Sequence, residues 1–152
     1  MPLPKRLVIG FVAAALSVVI FHQGMILLMR EIGMLPAAAR VWSLALNPWG
    51  VPMLLNNCFW GGLYGAVFGA FAPILAPRYR VPMWVAGLLT GILATLVGYF
   101  IVAAIKGQPI GGGWVAMAWV RRLMIEGTFG IGIGVIYPQI AGRLLKAPLP
   151  RV

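Results

Sequence analysis

The chain has 152 residues, of which 62% are hydrophobic and 9% charged, with a formal net charge of +10. Soluble domains run at roughly 45–50% apolar and about 25% charged, so a water-soluble globular fold is excluded and most of this surface has to meet lipid. The charge excess comes from missing acids (12 Lys and Arg, 2 Asp and Glu), and the basic residues stand in ones and twos at the ends of apolar runs, which fits lipid head groups and argues against a nucleic-acid face.

A membrane-spanning helix needs about 20 apolar residues. The amino-terminal stretch "MPLPKRLVIGFVAAALSVVIF" starts like a signal peptide, but the apolar run continues to Met29 with no small-residue cleavage site. It predicts an uncleaved signal anchor and first span over Leu7–Met29, bracketed by Lys5-Arg6 and Arg30-Glu31. In the following segment, Glu31–Gly50, "RVWSLALNPWG" predicts a short helix lying in the interface. The second span is expected over Val51–Leu75, near Pro73 and Pro77. The turn "APRYRVP" is tight, so spans two and three should be antiparallel neighbours. The third span, Met83–Ile105, opens at Pro82 and closes at Lys106. After the Gly-rich turn "KGQPIGGGW", Trp114–Arg122 reads as an interfacial ramp into the fourth span, Leu123–Leu144. These runs are too long for barrel strands and lack strict alternation. The expected fold is all-α: a polytopic four-transmembrane-helix bundle forming a single domain, residues 1–152.

Lys and Arg in the short segments set the orientation. With the amino terminus inside, the inner side carries Lys5, Arg6, Arg78, Arg80, Arg143, Lys146 and Arg151, against Arg30, Arg40, Lys106, Arg121 and Arg122 outside. Seven against five predicts that both termini are cytoplasmic. Trp42, Trp49, Trp114 and Trp119 fall on the outer side and read as interfacial anchors.

Small residues recur at four-residue spacing: Gly61, Gly65 and Gly69 in span two, Gly87 and Gly91 in span three, Gly130 and Gly134 in span four. Such stripes let helix backbones approach where lipid supplies no hydrophobic driving force. They predict helix packing, either within one chain or between two copies. "GIGIG" (Gly130–Gly134) is not a nucleotide loop, since no strand precedes it and the final spacing and a following acid are missing. A weak parallel repeat aligns "NCFWGGLYG" (Asn57–Gly65) with "EGTFGIGIG" (Glu126–Gly134), pairing Asn57 with Glu126.

Polar residues inside the spans are costly and therefore informative. At about 1.5 Å per residue, His22 and Gln23 lie about 10 Å below the outer boundary, Asn56 and Asn57 about 8–9 Å, Tyr99 about 9 Å and Glu126 about 5 Å. Together with Arg122, which is i,i+4 to Glu126, they form one polar layer in the outer leaflet. Two readings stay open: a hydrogen-bonded network that fixes the bundle, or an outward-facing pocket for a ligand, a lipid head group or a proton. The residue inventory predicts no catalytic, cofactor-binding or metal-ligating set. His22 is the only histidine, His22 with Glu126 is too few strong metal ligands, and Ser17 and Ser43 lack His/Asp partners. One cysteine, Cys58, excludes an intrachain disulfide and reads as a packing residue.

At "FHQGM" (Phe21–Met25), "FWGG" (Phe59–Gly62) and "KGQPIGGGW" (Lys106–Trp114) the sequence resembles a group of small four-helix inner-membrane proteins of alphaproteobacteria. The resemblance spans most of the chain and implies a multi-pass protein of a bacterial inner membrane. It brings no reaction or catalytic residues with it. The expected role is non-enzymatic: an accessory or structural membrane protein packing through its glycine faces. The alternative is a small dimeric transporter or channel-like protein using the polar layer as its site. The expected partners are the bilayer and either a second copy or a larger membrane protein, with no nucleic acid and no identified small-molecule ligand.

Overall fold

Three of the four long helices start directly after a proline. Pro2, Pro52 and Pro82 hold extended backbone (ψ 153°, 131° and 145°) and the helix begins at the next residue. The ring fixes φ near −65° and removes a donor that the first turn leaves unpaired in any case. The computed structural model describes the backbone of residues 1–146 and the side chains of residues 1–144. Within it the helices are α1 (Leu3–Glu31), α2 (Met53–Arg78), α3 (Met83–Ile105) and α4 (Ala116–Lys146). All four are long and apolar enough to cross a membrane. No strand occurs among the described residues beyond a single bridge between Leu46 and Pro52. Arg151 and the side chain of Lys146, both used in the orientation argument, lie outside the described residues.

α3 has the expected bounds, whereas α2 is shifted to Met53–Arg78 and continues through Pro77; the larger differences from the sequence expectation are these. α1 begins at Leu3, so Lys5 and Arg6 are helical residues. Glu31–Gly50 forms no interfacial helix after Glu31; Pro36 and Pro48 interrupt it, and Trp42 takes φ 46°. Its last turn is built on Asn47, whose Oδ1 accepts from Trp49 N (2.9 Å) and Val51 N (3.0 Å). The ramp is the start of α4, because no Gly or Pro interrupts "AMAWVRRLMIE". Arg122 and Glu126 therefore sit two to three turns inside a helix rather than at its entrance.

The helices put small residues inside and large ones outside. On α1, Ile9, Ala13, Ala14 and Ser17 are buried, while Val8, Val12, Leu16 and Ile20 face outward. That pattern suits a lipid surround, where bulk gains nothing by hiding from solvent and close backbone approach decides packing.

The glycines join spans within this chain. A Cβ built on Gly10 would overlap the Gly65 carbonyl oxygen and crowd Gly69, closing α1 on α2. One on Gly87 would overlap the Gly130 carbonyl oxygen and crowd Gly134, closing α3 on α4 in the same way. Gly91 meets the Glu126 carbonyl, and Gly61 meets Val18 and Phe129 in the centre. The bundle is thus two glycine-packed hairpins, joined by a core in which Phe68, Phe129, Ile133 and Tyr137 pack against α1.

These contacts correct the register of the internal repeat. Gly65 matches Gly130 and Gly69 matches Gly134; Pro73 matches Pro138 and Arg78 matches Arg143 (65 to 130, 69 to 134, 73 to 138, 78 to 143: 65 positions each). The alignment from sequence is one helical turn out. Asn57 corresponds to Arg122, and Gly61 corresponds to Glu126.

Each hairpin also carries a wide turn near the same end of its first helix, at Val18–His22 in α1 and Val97–Val102 in α3. The Gln23 N–H reaches Val18 O and Ile20 O and passes over Val19 O, its ordinary i−4 acceptor. Such π turns insert a residue and free a carbonyl. They lie toward the end of the bundle that carries the two longer connections, residues 32–52 and 106–115, called here the loop end.

Candidate functional site: the polar layer at the loop end

The freed carbonyl in α1 has a partner. Trp42 donates its indole Nε1–H to Val19 O at 2.8 Å, and its backbone N–H to Gln23 Oε1 at 2.8 Å. Gln23 is buried, and its Nε2 lies 3.4 Å from His22 Nδ1. The His22 ring meets Phe129 edge-on, with centroids 6.2 Å apart. The first connection is therefore clamped onto α1 by one tryptophan in a left-handed conformation. Replacing Trp42 by Phe removes the indole donor and leaves Val19 O short of a partner. We expect a loss of about 1 kcal/mol, read as a lower melting temperature in detergent, with the helical circular-dichroism signal retained.

The second hairpin builds a different cluster around the equivalent turn. Tyr99 donates its hydroxyl to Ala118 O at 2.7 Å, and Trp119 donates Nε1–H to Gly111 O at 2.8 Å. Gly111, Gly112 and Gly113 all take φ between 61° and 66°, which is why three glycines stand in a row here. The Arg122 guanidinium lies against Gly98, where a Cβ would collide with it, and 5.6 Å from the Tyr99 ring centroid. Arg122 Nη2 is 3.2 Å from Glu126 Oε1; the Glu126 side chain is 13% exposed and that of Arg122 40%. A cavity of about 350 Å³ opens beside Arg122, lined also by Gly98, Tyr99, Ala103, Gln108, Pro109 and Gly112.

By its hydrogen bonds and ion pair the polar layer falls into two groups. His22 and Gln23 serve the first connection; Tyr99, Arg122 and Glu126 stand together in the second hairpin. Asn56 and Asn57 are half-buried, and no side-chain hydrogen bond joins them to either cluster among the described residues. Glu126 is paired with Arg122 and not with His22. Among the described residues no three His, Cys, Asp or Glu side chains come together to hold a metal ion. Compared with known protein families, curated proteins and solved structures, the chain finds no match.

Several contributors stand outside the sequence-derived set. Ser17 donates Oγ–H to Phe129 O at 2.6 Å, tying α1 to α4. Gly132 makes room for that serine and for Phe21. Gly10 was marked only by a small residue four positions on, Ala14. Trp42 in the first connection and Trp119 in the first turn of α4 carry clamp bonds that nothing in the sequence around them announces.

Proposed function

We propose that this chain is a non-enzymatic structural or accessory protein of a bacterial inner membrane, with both termini on the cytoplasmic side. The observation that supports this reading is how the layer's hydrogen bonds are used. Ser17, Gln23, Tyr99, Trp42 and Trp119 all bind backbone groups of another segment or of a neighbouring turn. Polar side chains used in this way fix helices and connections in place. The glycine faces are also occupied within the chain, so a partner would meet the outward apolar faces instead.

In cells lacking this chain, the level of a membrane partner should fall. That partner should co-purify at fixed stoichiometry in mild detergent and be retained by His22→Ala and Glu126→Gln variants. A stable monomer with no partner, and no membrane protein depleted in the deletion strain, would remove the accessory role. A second reading, a small transporter, is favoured by the Arg122-lined cavity. It requires those two variants to fold normally and lose function.

A further inference from the structure

Two arginine Nε donors in the second hairpin have no hydrogen-bond acceptor among the described residues. A guanidinium carries five N–H donors. Arg122 binds Glu126 through Nη2, while its Nε is shielded from solvent and has no acceptor among the described residues. The Nε of neighbouring Arg121 is in the same state. The chain has two acids in all, and the other, Glu31, is bound to Arg30 at 3.0 Å. Arg122 lines the cavity, and the adjacent Arg121 adds a second cation to this turn of α4 against the one carboxylate of Glu126. The Tyr99 hydroxyl is used on Ala118 O, so Arg122 and Gln108 supply the polar wall, Arg122 with its charge.

We infer that this cavity receives the phosphate of a membrane phospholipid. Arginine is suited to phosphate because its planar donors meet two oxygens at once. The source is indicated by the aromatic cluster beside the cavity. Phe100, Trp114 and Trp119 pack with centroids 5.9–6.1 Å apart, and Trp114 is 69% exposed. Tryptophans of this kind sit at head-group level. Ligand pockets run at roughly 300–1,000 Å³, so about 350 Å³ takes a phosphate with part of its head group and not an acyl chain. The acyl chains would run from the cavity toward the bilayer centre along the outward face of α3, where Leu96, Leu93 and Leu89 are exposed. The glycines have a part in this: Gly98 and Gly112 leave the space in which Arg122 and Tyr99 lie against the backbone. The inference goes beyond the scaffold role and stands or falls independently of any protein partner.

Native mass spectrometry of the full chain in mild detergent tests it, with three separate probes: short-chain phosphatidylglycerol, the matching diacylglycerol, and inorganic phosphate. The expected result is one tightly held phosphatidylglycerol, with diacylglycerol and inorganic phosphate at least about tenfold weaker. The double variant Arg122→Gln/Glu126→Gln, which removes the cation without stranding its acid, should weaken lipid binding about tenfold or more. Gln108→Trp, on the exposed connection, should weaken it by blocking the mouth while leaving the core untouched. Lipid binding equal to wild type in both variants overturns the proposal, as does diacylglycerol binding as tightly as phosphatidylglycerol. Inorganic phosphate binding as tightly as the lipid overturns the lipid source.

Discussion

Leucine at Gly65 or at Gly130 is expected to prevent assembly of the four-helix body. At each position even a Cβ would overlap a backbone carbonyl oxygen on the facing helix, that of Gly10 or Gly87. A side chain can rotate away from a clash, but a packed backbone can only separate. Overpacking a core usually costs about 1–3 kcal/mol, and this case lies above about 3 kcal/mol because the whole hairpin must open. The expected result is aggregated protein on size exclusion after extraction, with no cooperative thermal transition. Gly24 provides the control, since nothing lies within 4 Å of a Cβ there. Gly24→Ala should be tolerated and raise stability by about 0.5–1 kcal/mol through helix propensity. Equal damage at Gly24 and Gly65 would mean that helix packing is not what the glycines provide.

The second large effect is an asymmetry in the Arg122–Glu126 pair. Arg122→Leu leaves the Glu126 carboxylate, 13% exposed, without its cation. Stranding one charge of a fully buried pair costs about 3–5 kcal/mol. Here Arg122 is 40% exposed and the pair is partly screened, so about 2–3 kcal/mol is expected. Glu126→Gln should cost less, about 1 kcal/mol, because the long Arg122 side chain can turn its head toward the interface. Removing both charges with Arg122→Leu/Glu126→Gln should recover most of the loss of the first variant. Thermal melts of the four proteins in one detergent give the comparison. Additive losses in the double variant would show that the two residues do not act as a pair.

The features legible in the sequence and those hidden in it divide along a physical line. The apolar runs are legible because lipid demands length and hydropathy over a continuous stretch, and these are local properties. The small-residue stripes are legible as stripes. Their partners are not, because four-residue spacing on one helix is satisfied by any helix that approaches it. The same degeneracy misplaced the repeat: sliding Gly61-xxx-Gly65-xxx-Gly69 by one turn still matches Gly130-xxx-Gly134. Pro73 and Pro138, which stand at the 65-residue offset, lie outside the Asn57–Gly65 and Glu126–Gly134 segments. The register matters for function, since it puts Arg122 and Glu126 where the first hairpin has Asn57 and Gly61. The charged pair belongs to one half alone.

The polar residues were visible one by one, but their grouping was not. Depth along a helix axis says nothing about rotation around it, and the wide turns at Val18–His22 and Val97–Val102 alter that rotation. Nothing in "VVIFH" or "VGYFIV" marks a π turn. The clamp by Trp42 was equally hidden, because it depends on a connection folding back 23 residues to meet Val19.

The central claim is that the glycine faces close hairpins inside one chain. It is tested most directly by cross-linking across the α1–α2 contact, where a Cβ on Gly62 would meet the Phe11 ring. In a Cys58→Ser background, Phe11→Cys and Gly62→Cys are introduced together and bridged in native membranes with a short bis-methanethiosulfonate linker, each cysteine thiolate displacing methanesulfinate. The account predicts a cross-link within single chains, seen on a non-reducing gel as a faster-running monomer. A ladder of linked dimers, with no shifted monomer, would place that contact between two copies and contradict it.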